Sequence, residues 1–204
     1  RSGLESVENC SNEEERNHFL HLMSEETVHM KRLIDDMLLL ANSDADTLTI
    51  KPEACQPDLL LLDTYEKFEP LAKKNGLHLI LTLPEEILPD CFCDIHRTEQ
   101  IFSIIVDNAL CYTPSGGKVT LSCHAENEML CFLFEDTGCG ISEEKKSHIF
   151  ERFYRADDAH TDREHFGLGL CIAKELTEKQ NGNIQVVDAP ISGSCFMVQL
   201  PCAL

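Results

Sequence analysis

The sequence has no run of the ~18 consecutive apolar residues that a membrane-crossing helix needs, and no leader-like start, so the chain is expected not to insert into a membrane. Basic residues are scarce too: 17 Lys and Arg stand against 36 Asp and Glu, a formal net charge of −19. Such a surface repels nucleic-acid backbones and anionic lipid, which excludes DNA or RNA as a partner. A phosphate-bearing ligand must then be held by backbone amides, a divalent cation and a few local basic groups. Paired cysteines are missing as well. The 11 cysteines are odd in number and sit mostly in apolar runs, which predicts free thiols in a reducing cytosol rather than a disulfide framework. Cys91-Phe92-Cys93 lacks the spacing of a zinc knuckle, and no second close pair completes four ligands. No repeat or low-complexity tract is present. There is no initiator methionine, and the opening Arg1-Ser2-Gly3-Leu4 leads us to expect a piece cut from a longer protein.

What remains is enough for one well-cored domain and an appendage, since ~150 residues bury roughly 70% of their unfolded surface. Residues 12–42 contain no proline or glycine. Leu20, Met23, Thr27, Met30, Ile34, Met37 and Ala41 recur three and four apart, a heptad seam. A second row of Phe19, Leu22, Leu33 and Leu40 widens the stripe beyond a two-stranded coil, as in a four-helix bundle. Ser11 with Glu14 fits a capping box, and residues 1–9 fit the tail of a preceding helix. We therefore place a helical unit at 1–45 and a second domain at 46–204. The spacing predicts strands over 47–51, 77–83, 91–94, 118–126, 129–136, 183–187 and 194–200. Helices are predicted over 57–74, 96–110 and from 167 to no further than 182. Mixed elements with antiparallel neighbours imply an α+β two-layer sandwich, one sheet covered on one face by three helices.

Four short stretches carry chemistry. Gly167-Leu168-Gly169-Leu170 opens a helix, and glycines there let phosphate oxygens reach the unsatisfied amides and the positive end of the dipole; a plain helix entry reads the same way. It matches neither a P-loop nor a dinucleotide fingerprint. In Asp136-Thr137-Gly138-Cys139-Gly140 a carboxylate ends an apolar strand and is followed by two glycines that admit a flat ring. It could accept a hydrogen bond from an adenine amine, cap residues 142–146, or make an Asx turn. Asn108 in the predicted helix 96–110 could complete the shell of a phosphate-bound Mg2+ or cap that helix. Tyr112 could lie beside a nucleotide or fill core. Residues 149–166, with Arg152, Tyr154, Arg155, His160, Arg163 and His165, have little to bury and read as a lid or as a solvated loop, Arg155 being the preferred phosphate contact.

Together, in this order, these stretches resemble the N, G1, F and G2 boxes of sensor histidine kinases, within the wider Bergerat-fold group that includes gyrase B. The resemblance covers residues 12–200. It implies ATP and Mg2+ as ligands, Asn108 holding the metal and, with Arg155, serving catalysis. It implies Asp136 on adenine, with Gly138, Gly140, Ile141 and Tyr112 about the base. Gly167, Leu168, Gly169 and Leu170 would face the phosphates, and Ser194 after Gly193 matches the family's final Gly-Thr. It further implies a homodimer through a helical hairpin, a response-regulator receiver domain as partner, and a cytoplasmic position within a membrane-anchored sensor. A His-Glu-Leu-Arg-Thr-Pro-like phosphoacceptor run is absent, so this chain should bind ATP without phosphorylating itself. Ile104 stands where a polar asparagine is usual, and Cys111 where a phosphate-contacting lysine is frequent. Those departures leave open a second reading, a weakened nucleotide-binding interaction or phosphatase module. A gyrase-like or chaperone-like ATPase fits less well, because such proteins lack a phosphotransfer hairpin.

Overall fold

The computed structural model describes residues 13–155, 166–189 and 192–203. They divide into two compact units, one ending at Asp46 and the other starting at Thr47. In the first, the proline-free and glycine-free stretch forms one helix, α1 (Glu13–Asp44). Leu20, Met30, Ile34 and Met37 of its seam are each about half exposed. The proposed cap at Ser11 and the helix tail at 1–9 lie outside the described residues.

The second unit contains α2 (Pro57–Lys74), α3 (Ile95–Tyr112), α4 (Glu143–Lys146) and α5 (Gly169–Glu178). Its strands are β1 (Glu53–Cys55), β2 (His78–Thr82), β3 (Cys91–Cys93), β4 (Lys118–Glu126), β5 (Met129–Asp136), β6 (Asn183–Asp188) and β7 (Ser194–Pro201). Pro57 opens α2, where its missing N–H costs nothing, and Gly76 at φ +69 turns the chain away after it. Asp94 opens α3 by accepting a hydrogen bond from the Arg97 amide at 3.1 Å. Asn127 and Glu128 take positive φ, 50 and 64, the twist a two-residue turn between β4 and β5 demands.

Five strands form one mixed sheet in the order β2-β4-β5-β7-β6, with β2 parallel to β4 and the other pairs antiparallel. A second, two-stranded sheet pairs β1 with β3. Helix α2 packs on β2 and β4, α3 on β4 and β5, and α5 on β6 and β7, with α3 touching both other helices. This is the expected two-layer arrangement. Alternation along β5 turns Leu130, Phe132 and Phe134 to the helix layer, where all three are fully buried. The Phe102 ring of α3 lies 4.8 Å from that of Phe132 and 5.0 Å from that of Phe134, in tilted contact.

One element departs from the sequence pattern. Residues 47–51 do not form a strand. The backbone there has no ladder partner, Pro52 has no N–H to give one, and the Lys51 amide is spent on the Asp94 carboxylate at 2.9 Å. The strand comes later, at Glu53–Cys55, where β3 supplies the ladder.

Candidate functional site

The alternation that buries Phe132 and Phe134 continues to Asp136, a carboxylate in phase with the apolar row at the last position of β5. It is 4% exposed, yet both oxygens are engaged. Oδ1 accepts from the Gly138 amide at 2.8 Å, and Oδ2 accepts from the Ser194 hydroxyl at 2.5 Å. The first bond is the Asx turn allowed by the sequence; the capping alternative is not seen, since Ser142 precedes α4 without a side-chain cap. A carboxylate group offers about four acceptor sites, so two neighbours leave roughly two for a ligand. Ser194 thus acts through Asp136, by orienting it. Residues 58 apart in sequence carry no local signal of such a bond, and only the family match of Ser194 hinted at a role.

Backbone packs directly on backbone around this carboxylate. A β-carbon on Gly193, at φ +90, would lie 2.0 Å from the Asp136 carbonyl oxygen. One on Gly138 would lie 2.5 Å from the Tyr112 carbonyl oxygen. Glycine at both positions lets the end of α3 and the start of β7 close on the turn after β5.

Helix α3 brings the other pieces to the same place. Ile104, Asn108 and Tyr112 are spaced four apart and form one stripe. At one end of it the Ile104 Cγ2 atom lies 3.1 Å from where a β-carbon of Gly169 would sit. At the other end the Tyr112 carbonyl meets Gly138. Asn108 lies between the glycine turn and the Asp136 turn. It is half-buried, and its amide makes no hydrogen bond among the described residues. Because α3 runs on to Tyr112, Asn108 does not cap it; the helix ends at Thr113, whose hydroxyl donates to the Ala109 carbonyl at 2.6 Å. The Tyr112 ring is exposed rather than packed in the core.

Helix α5 starts at Gly169 behind Leu168, with no side-chain cap on its first amides. Those amides have no intrahelical partner, and the positive end of the helix dipole lies with them. The segment 149–155 is tied to this start: the Phe153 amide donates to the Gly167 carbonyl at 2.9 Å, and Phe153 itself takes φ 64. Ile149 is buried, and the Phe150 ring meets that of Phe196 edge-on at 6.4 Å. Arg155 is exposed at the end of that segment, whereas His160, Arg163 and His165 lie outside the described residues. Leu168 is buried, and Gly140, Ile141 and Leu170 are half-buried. An apolar row thus ends in one oriented carboxylate, and α3 carries the Asn108 amide from there toward the start of α5, whose first N–H groups have no intrahelical partner.

The chain is similar to known proteins in both sequence and fold. Residues 93–204 match the family described as histidine kinase-, DNA gyrase B-, and HSP90-like ATPase. The chain is 34% identical over 173 residues to the adaptive-response sensory kinase SasA of Rippkaea orientalis, covering 84% of this chain and 44% of that protein. It is 32% identical over 185 residues to the sensor protein SrrB of Staphylococcus aureus, covering 89% and 31%. Full-length ShkA, solved in complex with AMPPNP, superposes with a TM-score of 0.80 at 26% identity, covering 98% of this chain and 42% of that one. The chain spans under half the length of these proteins.

Proposed function

Because the chain belongs to the family of histidine kinase-, DNA gyrase B- and HSP90-like ATPases, we propose that its second unit binds ATP with Mg2+ as the catalytic part of a sensor histidine kinase. The observation that carries this reading is the α3 stripe, on which Asn108 lies between Gly169 and the Asp136 turn. Asp136, oriented by Ser194 and the Gly138 amide, accepts from the exocyclic amine of adenine. Gly138, Gly140, Ile141 and Tyr112 surround the base. The amides of Gly167, Leu168, Gly169 and Leu170 face the phosphates, and Arg155 contacts them from the segment that follows Phe153. Asn108 would hold Mg2+ through its side-chain oxygen. A cation held there would supply neutralisation of charge on the transferred phosphoryl group. The chain's own residues contribute orientation of the base, alignment of the triphosphate along α5 and exclusion of water.

The acceptor in this reading is a histidine that the sequence does not contain, and from it the phosphoryl group passes to an aspartate of a response-regulator receiver domain. The half-exposed apolar seam of α1 supports a homodimer built through a helical bundle. The parent protein is read as a membrane-anchored sensor with this part in the cytoplasm; no helix among the described residues is long and apolar enough to cross a membrane. The test is transfer of label from γ-labelled ATP onto a version extended upstream to include the histidine, with calorimetric ATP binding measured beside it. Label on the histidine supports the assignment. ATP binding without label removes the kinase reading, and no binding at all removes the nucleotide site.

A further inference from the structure

Cys55, Cys91 and Cys93 come from two strands and meet on one face of the small sheet. Cys55 stands opposite Cys91 in the β1–β3 register, and alternation returns Cys93 to the side of Cys91 while sending Phe92 to the other. The three sulfurs lie within 4.8 Å of one another, with the Cys55 and Cys93 Sγ atoms 3.4 Å apart. Cys91 and Cys93 are fully buried, and Cys55 is half-buried. The Cys55 thiol also reaches the Cys91 carbonyl at 3.6 Å.

We propose that these three cysteines form a binding site for one thiophilic divalent ion of the zinc class, with the fourth position open to water on the Cys55 side. Three sulfurs at ~2.3 Å from a common ion are separated by about 3.7–4.0 Å, the spacing that the side chains already approach. Cys93 directly precedes Asp94, the first cap of α3, where the helix dipole favours an anion. The Gln180 side-chain oxygen accepts from the Asp94 amide at 2.7 Å and from the fully buried Thr98 hydroxyl at 3.4 Å, which fixes the backbone that follows Cys93. A disulfide between Cys55 and Cys93 would leave the buried Cys91 thiol with a lost neighbour, and an iron–sulfur cluster needs four thiolates. The site uses none of the residues assigned to the nucleotide.

Titration of the reduced chain with Co2+ followed by Zn2+ tests the assignment. One ion per chain, a sulfur-to-cobalt charge-transfer band bleached by Zn2+, and a higher melting temperature with Zn2+ are expected. Cys55→Ser, at the half-exposed ligand, should fold and lose both the band and the melting shift. Cys139→Ser, which removes an exposed thiol elsewhere, should keep them. A folded wild-type chain that takes up no ion, one that closes a Cys55–Cys93 disulfide in air yet binds no metal once reduced, or a Cys55→Ser variant that retains the band overturns the proposal.

Discussion

Replacing Asp136 by Asn changes one atom of the site and reverses its polarity toward the base. The fold should tolerate it. The amide oxygen still accepts from the Gly138 N–H, and the new NH2 donates to the Ser194 hydroxyl, which turns from donor to acceptor across the same short contact. Toward adenine the outcome differs, because an amide N–H then faces the exocyclic amine, donor against donor. Loss of a hydrogen bond to a charged group, with the ligand amine left unpaired, costs about 1.5–3 kcal/mol, or roughly 10- to 150-fold in Kd. Guanine carries a carbonyl at the same ring position, so Asp136→Asn should bind GTP no worse than the wild type, and the preference for ATP should narrow from both sides. The assay is calorimetric titration of wild type and variant with Mg·ATP and Mg·GTP, with a thermal melt of each. A variant whose melt is unchanged and whose Kd for ATP stays within about twofold of wild type would refute the assignment of Asp136 to the base.

Gly193→Ala forces a β-carbon onto the Asp136 carbonyl at a backbone angle alanine avoids. It should cost at least about 2 kcal/mol, seen as a melting point lower by roughly 4–8 °C, together with lost ATP binding; a melt unchanged to about a degree would show that the turn can yield. Phe102→Ala empties the space between Phe132 and Phe134 and should destabilise by about 3–5 kcal/mol, measured by urea unfolding, with a cost under about 1 kcal/mol refuting the placement of the core. Ile104→Asn with Cys111→Lys, made in a chain extended to include the phosphoacceptor, should raise phosphoryl transfer ~10-fold or more, since a polar group would then lie beside Gly169; an unchanged rate would show that these two positions do not limit turnover.

Much of the sheet was legible because its signals are local. β4 alternates, β5 is a continuous apolar run and the chain turns between them at Asn127-Glu128, so the predicted limits of both strands coincide with those observed. The α2 limits followed from Pro57 and Asn75-Gly76 in the same way. What failed was strand formation at 47–51, where β-prone residues have nothing to pair with, while the short Glu53–Cys55 strand exists only because β3 lies beside it. The site divides similarly. Asp136, Asn108 and the Gly167 turn could be picked out by residue type and neighbours. The Ser194 bond to Asp136, the contact of Ile104 with Gly169 and the gathering of Cys55 with Cys91 and Cys93 join residues 58, 65 and 36 or more positions apart. No window on the sequence holds both partners.

Asp136 terminates β5, which is hydrogen-bonded on one flank to β4 and on the other to β7. Asp136 itself is registered against Val119 of β4, and its neighbour Glu135 against Cys195 of β7, so the central strand that carries it has little freedom to drift sideways. With Asp136 assigned to the base as proposed, altering which purine is accepted by sliding or tilting that strand would disturb the hydrophobic layer beneath it. Engineered preference for an unnatural base is therefore better sought in the substituent itself, at positions 136 and 194, than in remodelling the frame that carries them. The start of α5 is held as firmly, since Leu168 is buried and a β-carbon on Gly167 would lie 2.7 Å from the Tyr154 carbonyl oxygen.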